Sequence, residues 1–530
     1  MAIVRYTASA DNTIVNAFKP NMTTRATGAN AGAADILEIY SVYSRAYVSS
    51  SSRPTGSQEL SRVLIQFPTY TISADRTAGA IPASGSVKFY LKLYNAETSK
   101  TVPTNYSLSI KPIAQSWQEG DGLDLENYTD ETRGNRGSNW MSASNTSAWT
   151  SSVGGDYLTA SADPLFVKDF ENGLEDLEVD ISPLVEEWIA GTKSNYGMGI
   201  MLSSSFEAFN SASSNIYTGS AVERTGGAQK SYYTKRFFAR GTQYFYKRPV
   251  IEARWDSTKR DDRGDFYYSS SLANAEDNLN TLYLFNYVRG RLRNIPAIGT
   301  TGSIMVSLYS GSKTNTEPSG SRLLLYNGLY SVTGGYVSTG VYSCSLAITS
   351  ATTPIKNLYD VWHSGSHEDE HGGAAYSSTT IEFYTGSIEP QKINALGEAR
   401  EPTYFINITN LKNSYAGGDK VRLNLYVRNK NWSPTIYSKA KENPEHLPIL
   451  SASYRVFRTL DGLEVVPHNT GSDFATGLSY DVSGNYFDFE MDLLEPGYEY
   501  AFKFSFYDEE LGSWNEQGKP FKFRVLDYEY

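Results

Sequence analysis

Cysteine is almost missing from this chain: Cys344 stands alone among 530 residues. No intramolecular disulfide can form, so the fold must be held by burial and hydrogen bonding, and the pattern suits folding in a reducing cytoplasm better than export. Charge is sparse as well, at 20% of residues, and it leans acidic, with a net charge of -11 and a pI near 5.2. That balance excludes general affinity for nucleic acid, whose phosphates need clustered Lys and Arg. The basic stretches Lys247-Arg248 and Arg289 to Arg293 are short and read as solvated strand ends. No run of about 18 apolar residues occurs, so no membrane span is expected. Met1 to Tyr6 show no charged segment leading into an apolar run, and a signal peptide is not expected. The chain has only 5 histidines and lacks GxSxG, HExxH, phosphate-loop and dinucleotide patterns. Without an evident acid and base pair or a nucleophile motif, an enzyme is not expected.

What the chain does have is tyrosine, 40 residues against 8 tryptophans, within an aromatic share of 13%. Together with abundant Ser, Thr and Gly, this is the composition that strands and their turns favour, and it predicts an all-β protein. The length is too great for one hydrophobic core, and two to four domains are expected. No internal repeat of fixed period is visible.

Alternation supplies the local detail. Ser61 to Phe67, Val87 to Tyr94 and Tyr106 to Ile110 read as strands. Tyr47 to Glu59 and Gly120 to Gly155 read as long loops. One helix is expected after Asp180 or Ser182, with Pro183 in its first turn, Leu184, Val185, Trp188 and Ile189 on one face, and Gly191 as its stop. Tyr196 to Leu202 returns as a strand whose two glycines imply a bulge or a close backbone approach. Arg248 to Trp255 closes a first domain, residues 1–256. The segment 257–265 carries no apolar side chain and reads as a linker. A second domain, 266–396, has strands at Thr281 to Val288, Ile304 to Tyr309, Tyr342 to Ile348 and Thr380 to Tyr384. A third, 397–530, has one-sided strands at Phe405 to Ile408 and Lys420 to Val427.

Few groups could carry chemistry. His363, His367 and His371 are spaced by four within Trp362 to His371, which would suit zinc or nickel on a helix. Ser364-Gly365-Ser366 and Gly372-Gly373 oppose a helix, leaving a solvated acidic loop or a pH-sensitive contact as the other readings. Asp121 to Glu126 places three carboxylates, Asp121, Asp124 and Glu126, within six residues, open either to calcium or to plain solvation. Glu186 and Glu187 are adjacent on a helix face, not set across a cleft as glycoside hydrolysis requires. Cys344 lies in a strand and reads as a buried, inert thiol. Arg263-Gly264-Asp265 matches an integrin-binding tripeptide by chance. Trp117, Trp140 and Trp149 either stack on sugar rings or pin the long loop to the scaffold. No catalytic, cofactor-binding or metal-binding residue is nominated.

The ordered set Ala8 to Val15, Val63 to Phe67, Trp117-Gln118-Glu119-Gly120, Trp140, Trp149, Gly154-Gly155-Asp156, Val179-Asp180-Ile181 with Trp188, Asn195-Tyr196-Gly197 and Arg248 to Glu252 resembles the DNRLRE type of β-sandwich. That family implies a jelly roll similar to carbohydrate-binding modules. The stretches Arg45 to Glu59 and Phe206 to Ala228 look like longer insertions than the family has. Near the other end, Leu494-Glu495-Pro496-Gly497 leads to Tyr498, Tyr500 and the strand Ala501 to Phe506. This resembles the tyrosine corner of immunoglobulin-like and fibronectin type III domains, with Tyr500 as the corner residue or else an ordinary strand-entry tyrosine.

A leaderless module of this type joined to C-terminal β domains resembles structural proteins of tailed bacteriophages. The resemblance implies assembly in the host cytoplasm into a virion, at an exterior site such as neck, collar, head decoration or tail attachment. The implied partners are other virion structural proteins and further copies of the same chain, with no nucleic acid, membrane or cofactor. The alternative expectation is a surface module that recognises glycans through its loop tryptophans.

Overall fold

The computed structural model describes residues 2–21, 24–47, 54–99, 101–123, 127–132, 136–211, 221–269, 274–314, 318–348, 355–365, 380–391, 403–433, 435–436, 446–509 and 511–527. Strands hold 42% of the chain and helices 7%. Against the usual third of helix in a globular domain, this is an all-β protein of sandwich character.

Ala2–Asp256, with Gly471–Ala475, form one unit. Its strands are Ile3–Thr7 (β1), Ala10–Asn16 (β2), Ile36–Tyr47 (β3), Pro54–Gln66 (β4), Lys88–Leu93 (β5), Tyr106–Pro112 (β6), Phe166–Phe170 (β7), Leu177–Asp180 (β8), Met198–Leu202 (β9), Tyr232–Phe238 (β10) and Val250–Arg254 (β11). Two helices, Thr69–Ala78 (α1) and Ser182–Ala190 (α2), accompany them. One sheet has four strands in the order β1-β11-β5-β8; the other has seven, β10-β3-β4-β9-β6-β7, with β2 also on β4. Paired residues point to the same side of a sheet. Val63, Ile200 and Ile110 therefore share one face of the larger sheet, while Leu64, Gly199 and Lys111 share the other. Val63, Leu64 and Ile65 are all fully buried, so β4 is covered on both faces.

The helix expected near Pro183 is α2, which buries Leu184, Val185 and Trp188 and ends at Gly191 with φ +72°. Ser182 is its first residue and does not cap it; its hydroxyl accepts the Phe89 amide at 2.8 Å and donates to Asp180 at 2.5 Å. Helix α1 was not expected. It follows Pro68, is rich in threonine and buries only Ile72, so it carries no apolar stripe to read. The stretch 47–59 is also not one long loop. Thr55 pairs with Ala46 and Glu59 with Val42, because the strand β3 offers a continuous backbone partner that satisfies these serine- and threonine-rich residues.

Ser257–Thr470 and Thr476–Tyr530 belong to a second unit. Its first strands are Asn280–Phe285 (β12), Tyr287–Val288 (β13), Arg291–Leu292 (β14), Ile304–Ser310 (β15), Val332–Ser338 (β16), Val341–Leu346 (β17), Leu358–His363 (β18) and Glu382–Ile388 (β19). They build a six-stranded sheet, β12-β17-β16-β15-β18-β19, and a two-stranded ribbon of β13 and β14. Then come Tyr404–Ile408 (β20), Ser414–Ala416 (β21), Lys420–Asn429 (β22), Ala452–Arg458 (β23), Glu464–Val466 (β24), Ser479–Asp481 (β25), Gly484–Glu490 (β26), Glu499–Asp508 (β27), Ser513–Glu516 (β28) and Phe521–Leu526 (β29). These form sheets β20-β22-β26-β25 and β21-β29-β27-β23-β24, with β28 also on β27. Strand β29 alternates perfectly, burying Phe521, Phe523 and Val525, each contributing about 1.5–3 kcal/mol of hydrophobic stabilisation. Aromatic rings dominate this core: Tyr454 stacks on Phe487 at 4.6 Å and Phe502 on Phe523 at 4.7 Å.

The segment 257–265 is ordered. Lys259 and Asp261 exchange backbone hydrogen bonds with Tyr480 of β25 at 3.0 and 3.1 Å, and Asp262–Gly264 makes one turn of 3-10 helix. Asp262 accepts the Tyr480 hydroxyl at 2.7 Å and the Thr281 amide of β12 at 2.6 Å. The absence of apolar side chains here reflects a polar strut that bonds to two sheets.

Candidate functional site

Between β6 and β7, from Ile113 to Leu165, the described residues form no named strand. This stretch lies over the face of the seven-stranded sheet that carries Ile14, Leu60 and Leu64, and it is pinned there by Trp140 and Trp149. Trp140 is fully buried and Trp149 is 7% exposed. The Trp149 indole N–H donates to the Asn139 carbonyl at 2.9 Å, and that of the half-buried Trp117 donates to the Tyr196 carbonyl at 2.8 Å. Stacking of sugars on Trp140 or Trp149 is therefore corrected: neither ring offers a free face, because each fills the space between loop and sheet.

Polar groups complete the attachment. Asn30 accepts the Gly32 and Gly122 amides at 3.0 and 3.3 Å and donates to the Arg136 carbonyl at 3.2 Å. A Cβ on Gly120 would fall 1.8 Å from the Asn30 amide nitrogen, so the glycine of Trp117-Gln118-Glu119-Gly120 makes room for that side chain. Asp156 accepts the Ser151 and Ser152 amides at 2.8 and 3.1 Å, and that of Thr150 as well. Glu119 accepts the Asp11 amide at 2.8 Å and binds the Arg240 guanidinium through both oxygens at 2.9 Å. Asp11 in turn accepts the Arg240 amide at 2.6 Å. Burial pushes the Asp11 carboxyl up to about 7, with the Glu119 charge adding to the rise and the Arg240 amide opposing it.

Deeper in the same layer, Arg62 is bidentate to Glu207 at 2.9 and 3.2 Å and donates to the Gly154 carbonyl at 2.9 Å. Its guanidinium lies 5.2 Å from the Trp140 ring centroid. Burial alone would raise the Glu207 carboxyl; Arg62 and Arg224 hold it below the usual carboxylate range. Tyr157 fills the gap above Gly199, where a Cβ would meet the ring at 2.0 Å. Sequence reasoning missed Arg62, Glu207 and Asn30. The available signal was a charged or amide side chain inside an otherwise apolar or alternating strand, as Arg62 is within Leu60 to Phe67.

The other candidates are placed differently. Trp362 and His363 belong to the fully buried strand β18, while His367 and His371 lie outside the described residues. Gly365 donates its amide to His363 Nδ1 at 3.1 Å, which puts the ring proton on Nε2, facing Ser307 Oγ at 3.0 Å. In that tautomer the imidazole donates to the serine and cannot act as its base. In the Asp121 to Glu126 loop, Asp121 pairs with Arg136 at 2.9 Å, and residues 124–126 lie outside the described residues. Glu186 engages Arg76 of α1, and Glu187 lies 3.5 Å from Lys193. Cys344 is buried, and burial pushes its thiol well above its ordinary value. Arg263 of the Arg-Gly-Asp tripeptide is held by Asp261 and Asp360 at 2.7 and 2.6 Å.

One triad-like group stands apart. His468 Nε2 faces Ser505 Oγ at 3.0 Å, and its Nδ1 faces Ser453 Oγ at 3.2 Å. The nearby carboxylate, Glu516, lies 3.7 Å from Nε2, the nitrogen that Ser505 occupies. A charge-relay arrangement needs the carboxylate on the opposite nitrogen, so this group holds strands together without activating a serine. Among the described residues, no cluster of three His, Cys, Asp or Glu side chains could hold a metal ion, and no helix is long and apolar enough to cross a membrane.

The sequence matches no family model and no curated protein. Among solved structures, it aligns with a crystal structure of trypsin-activated alpha-2-macroglobulin from Escherichia coli at 10% identity and a TM-score of 0.15. That alignment covers 80% of this chain, which spans 29% of the length of the other, and a likeness of this size defines no shared fold.

Proposed function

We propose that the chain is a structural component of a tailed-bacteriophage virion, acting through protein-protein assembly at an exterior site such as neck, collar, head decoration or tail attachment. In this reading the first 256 residues form a DNRLRE-type jelly roll, 266–396 a second β-sandwich, and 397–530 an immunoglobulin-like domain cornered by Tyr500. The Tyr500 hydroxyl donates to the Glu495 carbonyl at 2.8 Å, the geometry a tyrosine corner requires.

One observation carries the reading. Three sheets end in edge strands that present large apolar side chains to solvent: Val167 on β7, Tyr384 on β19 and Phe405 on β20, exposed by 51%, 39% and 43%. Leu165 and Ile381 extend two of these edges. Charge stands beside them, Lys168 and Asp169 on β7 and Glu382 on β19, and in this reading neighbouring subunits cover the apolar side chains between those charges. The polar clusters, by contrast, are consumed in holding loops to sheets, which fits a scaffold better than a catalyst.

Mass spectrometry of purified particles, paired with imaging after labelling by an antibody to this chain, tests the proposal. Label at a repeated position on the particle is the expected result. Absence of the chain from particles would overturn it.

A further inference from the structure

We propose that the chain associates with further copies of itself head to tail, the arginine-bearing ribbon of β13 and β14 on one copy docking on the acidic β7 edge of the next. The contact deepens the assembly reading above, on which it rests, by naming the two surfaces that meet.

The ribbon carries more positive charge than its turn requires. Val288 pairs with Arg291 and Tyr287 with Leu292. Asn286 then accepts the Arg293 amide at 3.0 Å and donates its side-chain amide to the Arg293 carbonyl at 2.6 Å. Paired residues share a side, so Val288, Arg291 and Arg293 lie on one face. Arg289 and Gly290 turn the chain with φ +53° and +75°, in the two-residue turn where Asn or Asp usually precedes glycine. An arginine is harder to place there than either, and the turn itself gives it no role. Val288 and all three arginines are exposed. Among the described residues no carboxylate pairs with Arg289, Arg291 or Arg293.

The β7 edge bears the opposite charge. Strand β7 ends the seven-stranded sheet, β8 ends the four-stranded one, and the two adjoin. Between Leu165 and Asp180 stand six carboxylates and one lysine, Lys168. Glu178 is engaged by Lys92 at 3.3 Å and Arg254 at 2.8 Å, and Asp180 lies 3.9 Å from Lys88. Glu175 accepts the Glu171 and Asn172 amides, and Asp176 that of Asn95. Asp169 and Glu171 are exposed and meet no cation among the described residues. Val167 and Asp169 stand opposite Ser109 and Ser107, on the face away from Phe170, which is buried, and from Lys168.

Charge and spacing match. Asp169 and Glu171 are two residues apart, as are Arg291 and Arg293, so about 7 Å separates the members of each pair and both ion pairs form in one register. Leu165 and Val167 continue the acidic strip and Val288 flanks the basic one, all three exposed. Exposed ion pairs contribute little cohesion; here they select the partner face and the register, while the apolar side chains are withdrawn from water. A chain of net charge -11 repels its own copies in general, and three unpaired arginines on a projecting turn reverse that repulsion locally. The occupant is a second copy because the chain itself carries the matching edge. Ribbon and edge are different surfaces, so each bound copy still offers one of each, and copies add in a ring or a line.

Sedimentation velocity of the full chain over a concentration series is the test. Wild type should gain mass with concentration, and less so in high than in low sodium chloride, since exposed charges are screened. Arg289→Glu with Arg291→Glu and Arg293→Glu reverses the ribbon; Asp169→Arg with Glu171→Arg reverses the edge. Each alone should associate at least about tenfold more weakly than wild type, with a thermal midpoint within about 2 °C of it. Arg291→Gln with Arg293→Gln, which leaves the turn untouched, should weaken association in the same direction. An equimolar mixture of the two reversed proteins should regain mass, because each reversed ribbon then finds a reversed edge and each native ribbon a native edge. A wild-type chain that stays monomeric, a reversed ribbon that associates as wild type does, or a mixture of folded variants that stays apart would overturn the proposal. Any of these results with the chain present in particles removes this contact alone, whereas association restored by mixing in a chain absent from particles keeps the contact and removes the virion reading.

Discussion

Arg263 and Asp360 meet at 2.6 Å with their side chains 11% and 0% exposed. The guanidinium also reaches Asp261 at 2.7 Å and the Tyr283 carbonyl at 3.2 Å, while Asp360 accepts the Trp362 indole N–H at 2.8 Å. Every strong hydrogen-bonding group of the pair is thus engaged, which is the condition under which a buried ion pair is tolerated.

Removing one partner leaves the other charge buried alone. Arg263→Ala is expected to cost about 3–5 kcal/mol of the stability of the second unit. Arg263→Met combined with Asp360→Leu should cost much less, since no lone charge remains. Urea unfolding of the full chain followed by near-ultraviolet circular dichroism measures both. Equal losses in the single and double variants would contradict the assignment.

Asp11 gives a pH dependence with a definite sign. Its folded pKa, near 7, lies above its ordinary value of 3.8. Between those values the folded state holds a proton that the unfolded chain has released. The contribution of this group to stability is therefore present below pH 3.8 and is lost as pH rises toward 7, with a slope of at most about 1.4 kcal/mol per pH unit. Asp11→Asn still accepts the Arg240 amide and should flatten that slope. Denaturation midpoints of both proteins from pH 4 to pH 8, compared pairwise, provide the check.

Trp140 and Trp149 should behave as core residues. Trp140→Ala is expected to destabilise the first unit by about 3–5 kcal/mol through the cavity it leaves, and it also strips the ring from beneath Arg62. Limited proteolysis should then cut within residues 113–165 at rates far above wild type. Unchanged protection would mean that the loop is held by other means.

Tyr500→Phe isolates the corner bond. It retains the ring, which packs 6.1 Å from that of Phe523, but it removes the donor to the Glu495 carbonyl. A loss of about 0.5–1.5 kcal/mol is expected, against several for Tyr500→Ala, measured by equilibrium unfolding.

Exposed edges should govern association and leave folding alone. Val167→Lys and Phe405→Lys place charge on two edge strands and should lower the oligomeric mass found by light scattering. Their thermal midpoints should stay within about 2 °C of wild type, because surface changes of this kind are usually small.

The all-β class, most strands, helix α2 and the interior position of Cys344 were legible in the chain itself, because each depends on spacing: alternation for strands, a three-and-four pattern before Gly191 for the helix. Helix α1 escaped because Ile72 is its only buried side chain. The pairing of 54–59 with β3 escaped because serine- and threonine-rich residues take strand geometry when a neighbouring backbone offers hydrogen bonds. Segment 257–265 looked like a tether because polarity in sequence resembles solvation, yet Asp261, Asp262 and Arg263 are bonded to residues as distant as Asp360 and Tyr480. The same holds for Trp140, whose burial, and for Arg62 and Glu207, whose partnership, depend on segments more than 75 residues apart along the chain. Local pattern reports which backbone a residue prefers. Only the closed tertiary structure determines which charge meets which, since those contacts join positions that no spacing rule connects.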